Sequence, residues 1–422
     1  MCKKTNNKII LYLVAIGLFS PIFFQLANGV FYSDDYNYSS LGKLVLLPIP
    51  FSAIICCGAL ILFGKFTEVK ETLLALLFTI ITMLFATIIL FLKEGGYHLS
   101  KFLLLIQFIL PMFALVVGQQ YGSKVEATNI LGVVFFCILA AIVPLQLLST
   151  ITNSSEVLSP SVFIFSVYQH LQYVPVIFVS MFLFVIFMSD QIPKIRRLIP
   201  VLAIFMGLYA GLSASLLAIS LLVTLPLGYI FYKYIRNDNC GLAIKTFLMI
   251  LFGLSIFIAY TTVPELLRSK FIDPNGSVTH DAGVPANVAT RFFYWQYYFS
   301  GIFSNTSSLL LGHLETPDRD IYPSAHNYYL DFIYNFGALA LLPLIGLISY
   351  TAFKTIQQVN YIWQKPELIC LVLIIFFLLL IDNSLKVSLR QPYPGIVSFF
   401  MWGVLLAFIT DKEHLPISCS NA

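Results

Sequence analysis

The stretch TLLALLFTIITMLFATIILFL, residues Thr72–Leu92, contains no charged side chain. A helix needs about 20 predominantly apolar residues to cross the hydrocarbon core of a bilayer, and this stretch meets that requirement. The same character extends along the chain, because 59% of its residues are hydrophobic and only 10% are charged. A soluble surface needs roughly a quarter of its positions charged. The predicted fold is therefore all-α, a polytopic bundle of membrane helices.

The same length criterion predicts about 12 transmembrane helices. The predicted spans are Ile9–Val30, Leu44–Phe63, Thr72–Leu92, Phe102–Gly118, Asn129–Leu148, Tyr173–Ser189, Leu198–Ala210, Ser213–Tyr232, Leu242–Val263, Tyr328–Tyr350, Glu367–Ile381 and Gly395–Thr410. No small-residue cleavage site follows the first apolar run, which predicts a retained helix rather than a signal peptide. Three small residues, Gly207, Gly211 and Ser213, lie near the division between the seventh and eighth spans, and we expect these two helices to pack closely there.

The distribution of basic residues predicts the orientation of these helices. With the N-terminus inside, the cytoplasmic segments hold fifteen lysines and arginines, against five in the short loops of the opposite face. Both termini are therefore predicted to be cytoplasmic. Residues 1–263 then comprise transmembrane helices 1–9, residues 264–327 form one large outer loop, and residues 328–422 comprise helices 10–12 and the C-terminus.

The outer loop from Pro264 to Asn327 is the long polar segment of an otherwise apolar chain. It holds three of the six histidines, four basic residues and six carboxylates. These residues are His280, His313 and His326; Arg268, Lys270, Arg291 and Arg319; and Glu265, Asp273, Asp281, Glu315, Asp318 and Asp320. A membrane protein that gathers titratable groups in one loop is expected to do its chemistry or its recognition there.

The end of this loop leads into the tenth predicted helix. His326 and Asn327 come just before the helix, where free backbone N–H groups and the positive end of the helix dipole favour an anion. Asp331 and Asn335 follow Asn327 by four and eight residues, a spacing that places them on one face of the helix. A neutral histidine titrates near working pH and is suited to accept a proton from a hydroxyl group.

These residues also have ordinary structural interpretations. We expect His280 and His313 to be solvated loop side chains. Arg319 either pairs with the aspartates on both sides of it or belongs to the site. The aromatic run at residues 292–298 is either a belt at the membrane interface or a surface that stacks on sugar rings. Asp331 is either part of the site or a local helix cap.

Short motifs around His326 resemble a known family. His326, ten intervening residues and then Gly337, at the start of an apolar helix, are similar to the histidine–glycine motif of the O-antigen polymerase and O-antigen ligase family. Arg291 followed four residues later by Trp295 resembles that family's loop arginine and large apolar side chain. The Leu-Leu-Gly sequence at residues 310–312 fits the L-x-G step that lies between these two motifs.

Two further features bear on this resemblance. Twelve spans with one large outer loop, and a late outer arginine at Arg390, also match the family's pattern. The segment Gly211-Leu212-Ser213-Ala214-Ser215 departs from it. Ligases of the family carry a Ser-Arg or Thr-Arg pair where an outer loop enters the eighth span, so this departure favours a polymerase over a ligase.

The resemblance implies a membrane-embedded, metal-independent glycosyltransferase that uses no cofactor. Its donor would be an oligosaccharide linked to undecaprenyl diphosphate. A polymerase would transfer the glycan to a sugar hydroxyl of another lipid-linked repeat unit, whereas a ligase would transfer it to the lipid A core. The implied location is the bacterial inner membrane, with the large loop in the periplasm. The implied partners are the acceptor glycan, the lipid bilayer and a chain-length regulator.

The resemblance and the residue chemistry together assign candidate roles. His326 and Arg291 are the predicted catalytic residues, with His326 acting as a base or orienting the acceptor hydroxyl. Arginines suit the departing diphosphate because guanidinium pairs bidentately with its oxygens. The predicted diphosphate-binding residues are Arg291, Arg319 and Arg390, and the predicted acceptor or sugar contacts are Asn327, Asp331, Tyr294, Trp295 and Tyr328. No metal site is predicted.

Other classes of function make different predictions. A transporter or flippase for lipid-linked glycans also has about twelve spans, and it would carry ionisable groups or broken helices near the middle of the membrane. The predicted spans contain almost no ionisable residue, which favours an enzyme. A non-enzymatic membrane partner in polysaccharide assembly is a third interpretation. The small net charge of +4 does not indicate a nucleic-acid partner.

Overall fold

The structure, a computed structural model, describes residues 2–20, 48–64, 69–95, 99–124, 126–152, 174–213, 215–259, 286–317, 321–322 and 324–410. The described residues are mostly helical, and no strand occurs among them. Residues 260–285, which include the first part of the large loop and His280, lie outside the described residues. Arg319 and its two aspartate neighbours lie outside them as well.

The helices follow one another with short connections through most of the described residues. In chain order they are α1 (Cys2–Phe19), α2 (Pro48–Phe63), α3 (Lys70–Glu94), α4 (Leu99–Gly122), α5 (Ala127–Thr152), α6 (Val174–Phe187), α7 (Pro193–Arg196), α8 (Ile199–Leu212), α9 (Leu216–Ile235), α10 (Gly241–Ala259), α11 (Ala286–Ile302), α12 (Thr306–Leu311), α13 (Tyr328–Gln357), α14 (Val359–Trp363), α15 (Pro366–Phe376), α16 (Asn383–Leu385) and α17 (Pro392–Thr410). A π-helical turn (Phe377–Asp382) follows α15, and a 3-10 turn (Ser388–Arg390) precedes α17.

Eight helical segments of the described chain are long and apolar enough to cross a membrane. They are Lys70–Glu94, Leu104–Gly122, Ala127–Leu148, Leu216–Ile235, Gly241–Ile258, Tyr328–Gln357, Pro366–Leu385 and Tyr393–Thr410. The protein is therefore an all-helical membrane protein. Four shorter apolar segments, Lys8–Phe19, Ile54–Phe63, Val174–Phe187 and Ile199–Leu212, overlap the other four predicted spans. The number of about 12 crossings and the orientation of the helices stay predictions.

The chain divides into two compact units. The first comprises Met1–Phe63, Tyr121–Val263 and Asn360–Ile374, and the second comprises Gly64–Gln120, Pro264–Val359 and Ile375–Ala422. Every predicted site residue that the structure describes belongs to the second unit.

In the first unit, small residues allow α8 and α10 to pack closely. A Cβ atom added to Gly207 would lie 2.5 Å from the carbonyl oxygen of Ile250, and one added to Gly253 would lie 2.3 Å from that of Ile204. The two backbones therefore touch, as small residues permit between membrane helices. The predicted division between α8 and α9 is confirmed, and Ser215 caps α9. The glycine contact, however, is made with α10 and not with α9, which corrects that prediction.

In the second unit, Phe108 of α4 packs against the first part of α13. Its ring centroid lies 5.3 Å from each of those of Tyr328, Phe332 and Phe336. These three residues recur every four positions, so they form one aromatic face of α13. The guanidinium carbon of Arg390 lies 5.8 Å from the centroid of the Phe108 ring. This packing positions both the start of α13 and the segment that leads into α17.

Candidate functional site

Helix α13 is interrupted at Gly337, where φ is 79° and ψ is 164°. A Cβ atom at this position would lie 2.0 Å from the carbonyl oxygen of Leu310. Glycine alone combines the positive φ with this close approach. Gly312 also has a positive φ, 81°, and an added Cβ atom would lie 2.5 Å from the carbonyl carbon of Asn335. The two glycine-containing motifs of the sequence are therefore in direct contact.

The break separates backbone carbonyl groups of α13 from their usual partners four residues further along. The N–H group of His313 donates to the carbonyl of Tyr334 over 2.8 Å. The side-chain amine of Lys101 donates to the carbonyl of Asn335 and, over 2.6 Å, to that of His313. The same amine lies 4.5 Å from the centroid of the Phe336 ring. The interrupted helix end is thus satisfied by α4 and by the segment after α12.

Lys101 is a site residue that the sequence patterns did not indicate. It is fully buried, and this burial lowers the pKa of its amine to about 7, against the opposing charge of Asp331. A signal for it was present in the sequence, since Lys101 immediately precedes the predicted span Phe102–Gly118. A lysine at the start of an apolar helix either reaches out to the membrane surface or turns inward to a polar partner. Here it turns inward.

His313 is a structural residue, which corrects the expectation of a solvated loop histidine. Its ring stacks on Tyr334 with 4.3 Å between the centroids. Its Nε2 atom lies 3.1 Å from the carbonyl oxygen of Gly301, to which a ring protonated at Nε2 donates. Burial lowers the pKa of His313, so the ring is neutral at pH 7. His313 therefore connects the end of α11 to the break in α13.

The first three N–H groups of α13 already have partners, which corrects the prediction that this helix end binds an anion. Asn327 Oδ1 accepts from the N–H groups of Tyr329 at 3.0 Å and Leu330 at 3.1 Å. The N–H group of Tyr328 donates to the carbonyl of Lys386 over 2.9 Å. Asn327 is thus a helix cap. An anion near this helix end would have to be held by side chains.

His326 lies in the turn before α13 with a positive φ of 47°, a strained conformation that is enriched at functional sites. Its ring stacks on Tyr294 with 5.7 Å between the centroids. Its N–H group donates to Ser324 Oγ over 3.2 Å. The indole N–H of Trp295 donates to the carbonyl of Ala325 over 2.8 Å. Neighbouring residues of α11 thus hold both the ring of His326 and the backbone beside it.

Arg291 lies on the face of α11 that is directed to His326. Tyr294, Trp295 and Tyr298 follow it by three, four and seven residues, which is the spacing of one helix face. Arg291 is half-buried, and its charge helps to lower the pKa of Lys386, for which burial is the larger cause. Arg291 of α11 and Lys386, which precedes the 3-10 turn, are therefore close enough to interact.

Lys386 belongs to a polar group at the end of the π-helical turn. Its Nζ atom lies 3.2 Å from Asp382 Oδ1, and the hydroxyl of Ser388 donates to Asp382 Oδ2 over 2.5 Å. The side chain of Asn383 accepts from the N–H group of Leu389 over 2.9 Å. π-Helical turns are rare and often occur at functional sites.

Asp331 and Arg390 form a buried ion pair. Arg390 Nη1 lies 2.6 Å from Asp331 Oδ2, and the two residues are only 8% and 2% exposed. Because this pair neutralises the charge of Arg390, the residue is less suited to a diphosphate than the sequence predicted. Asp331 is a structural partner of Arg390 rather than a cap of its own helix.

The predicted aromatic contacts fall into two groups. Tyr328 is fully buried against Phe108 and contributes to the core, so its predicted contact with a sugar has no accessible surface in this structure. Tyr297 stacks on Tyr322 with 3.8 Å between the ring centroids. Tyr294 and Trp295 remain partly exposed beside His326. Of the predicted contacts, Tyr294 and Trp295 therefore keep surface that a ligand could touch.

A cleft lies next to these groups in the second unit. It is small, and its lining includes Asp331, Asn335, Arg390, Tyr298 and Tyr322. No cluster of three or more metal-ligating side chains occurs in the part of the chain that the structure describes. The candidate site thus consists of a half-exposed histidine and arginine near a small, partly open polar cleft.

Comparisons with protein-family models, curated proteins and solved structures give no match to this chain. The resemblance to the O-antigen polymerase and ligase family therefore stays a prediction from short motifs. The case for a function rests on the contacts between those motifs in the second unit.

Proposed function

We propose that this protein is a membrane-embedded glycosyltransferase that transfers a glycan from a polyprenyl diphosphate carrier to a sugar hydroxyl. The particular activity that we propose is that of an O-antigen polymerase, in which the acceptor is another lipid-linked repeat unit. The reaction would take place on the periplasmic side of the bacterial inner membrane. Ligation of the glycan to the lipid A core is the alternative within the same class.

The observation that carries this proposal is the contact between α11 and the turn of His326. The Tyr294–His326 stack and the Trp295–Ala325 hydrogen bond bring an arginine-bearing helix face to a histidine from a separate segment. Gly312 and Gly337 are in contact as well. Motifs that are far apart in the sequence thus meet in one region, as residues of a single reaction site must.

The proposed reaction makes two demands on these side chains. The bond between the anomeric carbon and the diphosphate oxygen breaks, and the diphosphate leaves with the electron pair and a developing negative charge. Arg291 is the cation placed to stabilise that charge, because Lys386, like Arg390, is paired with a buried aspartate. The acceptor oxygen bonds to the anomeric carbon, and its proton passes to His326 or to solvent. The paired charge of Arg390 gives that residue a smaller part in leaving-group stabilisation than the sequence predicted.

One observation favours a transporter or flippase as a second candidate. Helix α13 is broken at Gly337, and broken helices form substrate and ion sites in many transporters. In those proteins the exposed helix ends bind the transported species. Here the released carbonyls of α13 are bonded to Lys101 and to the N–H group of His313. Since protein groups occupy this helix end, the enzyme is the better supported proposal.

The test is the surface polysaccharide of cells that lack the gene and are complemented with wild type, His326→Ala or Arg291→Ala. Gln296→Ala is the matched control, because Gln296 is exposed on the same helix. The amount of each variant in the membrane is measured with an epitope tag. We expect normal polysaccharide with the control and a loss of polymer with the two site variants.

The banding pattern of the surface polysaccharide on a gel separates the candidate functions. Single repeat units capped on the core without a ladder identify a polymerase. Loss of core-attached glycan together with polymer on the lipid carrier identifies a ligase. An unchanged ladder in both site variants contradicts either enzyme and favours the transporter.

A further inference from the structure

One face of α11 is covered by the start of α13. Tyr298 and Ile302, four residues apart, are 1% and 2% exposed. They belong to one hydrophobic cluster with Leu330 and Tyr334, and the ring centroid of Tyr298 lies 4.9 Å from that of Tyr334. Residues four apart lie on the same side of a helix. These contacts therefore fix the rotation of α11 about its own axis and decide which side chains it leaves uncovered.

Another face of α11 carries exposed phenylalanines. Phe292, Phe299 and Phe303 are 57%, 44% and 65% exposed, and their spacing of seven and four residues places them in one stripe along the helix. Phe303 follows α11 directly and keeps its register, because its N–H group donates to the carbonyl of Phe299 over 3.0 Å. Ser300 is exposed beside the stripe. The one charged residue of α11, Arg291, lies outside the stripe.

Helix α11 is too short to cross a membrane by itself. Its 17 residues extend about 25 Å at the helical rise, less than the roughly 30 Å of a hydrocarbon core. It is not among the eight segments of the described chain that are long and apolar enough to span. The stripe is therefore not the lipid-facing side of another transmembrane helix, and a different environment has to cover it.

The packing of α13 on α4 indicates the orientation of this region. The single ring of Phe108 in α4 contacts three successive turns of α13, at Tyr328, Phe332 and Phe336. A helix packed lengthwise on α4 would bring a different residue of α4 to each turn, so the first part of α13 crosses α4 steeply. Because α4 contains the candidate span Leu104–Gly122, this part of α13 lies closer to the membrane plane than to its normal.

The second part of α13 is long enough to make the membrane crossing alone. Residues 338–357 follow the break at Gly337, and their length of about 20 residues is what a crossing needs. Leu342 in this part is 60% exposed, as a lipid-facing side chain would be. The break at Gly337 therefore turns the chain from the membrane plane into the crossing direction.

Helix α11 runs alongside the first part of α13. Trp295 bonds to Ala325 before α13 begins, and Tyr298 packs on Tyr334 further along it. Phe108, at the crossing of α4 and α13, lies four residues after the start of its span, which is about 6 Å along the helix. Interfacial helices bury their apolar face about 5–10 Å into the boundary between headgroups and acyl chains. The direction and depth of α11 fit such a helix.

The stripe is too small for a stable interface with a second copy of the chain. A fully buried phenylalanine covers about 150–250 Å², so three half-exposed rings offer roughly 300 Å². A specific protein interface buries roughly 800 Å² on each partner. Lipid contact needs no comparable area here, because the rest of the protein already anchors α11 to the membrane.

We propose that α11 is an interfacial helix that lies in the plane of the membrane, with Phe292, Phe299 and Phe303 among the acyl chains just below the lipid headgroups. The partner of this surface is the bilayer itself. Arg291 lies about a quarter of a turn from the stripe, at the depth of the lipid phosphates. A carrier diphosphate would then reach Arg291 without leaving the headgroup layer. Only this consequence for the carrier rests on the proposed function.

The first test labels unmodified protein with a lipid-soluble carbene reagent. The full-length chain is reconstituted in nanodiscs of phosphatidylethanolamine and phosphatidylglycerol, photolysed and mapped by mass spectrometry. We expect adducts on Phe292, Phe299 and Phe303 and none on Ser300. Leu342 is the positive control for contact with lipid. Adducts on Leu342 without adducts on the stripe overturn the proposal.

The second test measures depth with a fluorescent amino acid at Phe292 or at Phe303, and with Ser300 as the matched control position. Size-exclusion chromatography confirms that each variant is folded. Lipids brominated near the headgroup should remove most of the fluorescence at both stripe positions, whereas aqueous iodide should remove it at Ser300.

Three results of the depth measurement overturn the proposal. Unequal depths at Phe292 and Phe303 mean that α11 inserts steeply. Quenching of the stripe by iodide alone means that the stripe faces water. Protection of the stripe from both quenchers means that a second protein chain covers it.

The polysaccharide ladder separates this inference from the proposed function. Carbene labelling does not require activity, so Arg291→Ala should lose the ladder and keep a labelled stripe. A labelled stripe combined with an intact ladder in Arg291→Ala and His326→Ala would sustain the interfacial helix and contradict the enzyme. A lost ladder combined with an unlabelled stripe would sustain the enzyme and contradict the interfacial helix.

Discussion

The two segments of α13 on either side of Gly337 use the same helix for different purposes. The N-terminal segment, residues 328–336, carries Asp331 and Asn335 at 2% and 1% exposure. The C-terminal segment, residues 338–357, exposes Leu342 at 60% and Leu339 at 43%, as a surface in contact with lipid acyl chains would. One glycine therefore separates a segment that builds a polar site from a segment that is suited to anchor it in the membrane.

The comparison shows what a polar site inside a membrane helix requires. The N-terminal segment is capped by Asn327, paired through Asp331 with Arg390, and bonded at its end by Lys101. Without such partners each buried polar group would cost about 1–3 kcal/mol. The C-terminal segment needs few such contacts because its side chains are apolar and its backbone groups bond within the helix.

The largest expected effect comes from a substitution at Gly337, where α13 is broken. Gly337→Ala forces a Cβ atom to within 2.0 Å of a backbone oxygen at a φ of 79°, and backbone strain and overpacking together should destabilise the protein by more than about 4 kcal/mol. Gly346→Ala is the control in the C-terminal segment, where nothing lies within 4 Å of the added atom. Its effect should be neutral or a stabilisation of about 0.5–1 kcal/mol.

The measurement for both glycine variants is size-exclusion chromatography and thermal unfolding of the purified protein in detergent. We expect no monodisperse Gly337→Ala protein and a normal profile for Gly346→Ala. A folded Gly337→Ala protein with an unchanged unfolding temperature would mean that α13 is continuous.

The next largest effect comes from breaking the buried ion pair. Asp331→Ala leaves the charge of Arg390 buried without its partner, which should cost about 3–5 kcal/mol. The double variant Asp331→Ala/Arg390→Met removes both charges and should recover part of that loss. A double-mutant cycle on thermal stability measures the coupling. If the two substitutions are additive, the ion pair does not stabilise the N-terminal segment.

Lys101 should make stability depend on pH. Its pKa in the folded protein is lowered from the ordinary value of 10.5 to about 7. Between these two values the unfolded chain holds a proton at Lys101 that the folded chain has released, so the free energy of unfolding should rise with pH. Lys101→Met lacks this contribution and should be destabilised by about 1–3 kcal/mol, because the carbonyls at the helix break lose their donor.

The measurement for Lys101 is the difference in unfolding temperature between wild type and Lys101→Met from pH 7 to pH 10. The advantage of wild type should grow across this window. A constant difference would show that Lys101 keeps an ordinary pKa and that its burial has no effect on its titration.

The smallest effect concerns the contact that orders His326. Trp295→Phe keeps the aromatic packing but removes the hydrogen bond to Ala325, a loss of about 1 kcal/mol. Stability should change little, while polymer yield in complemented cells should fall severalfold because the His326 turn is less ordered. Trp363→Phe in the first unit is the same substitution at an exposed position and should leave the yield unchanged. Equal yields in the two variants would remove Trp295 from the site.

Much of the fold could be predicted because membrane helices follow from local composition. Each of the twelve apolar runs overlaps a helix of the described chain. For the candidate site, the sequence indicated His326, Arg291 and the two glycines, which the structure places in one region. It did not indicate Lys101, because the partners of that residue lie 212 and 234 residues away in the chain. It assigned His313 to solvent, because the contacts of its ring with Gly301 and Tyr334 depend on how α11 and α13 pack.

The sequence by itself determined that this is a helical membrane protein, since apolar length is a property of each segment and needs no knowledge of the others. It also determined where polar residues gather. Only the tertiary structure decided which polar groups have hydrogen-bond or ion-pair partners. The pairing of Asp331 with Arg390, the bond from the Tyr328 N–H group to the carbonyl of Lys386 and the bonds from Lys101 to the helix break depend on distances between separate segments. Such distances follow from how the helices pack, which no single segment specifies.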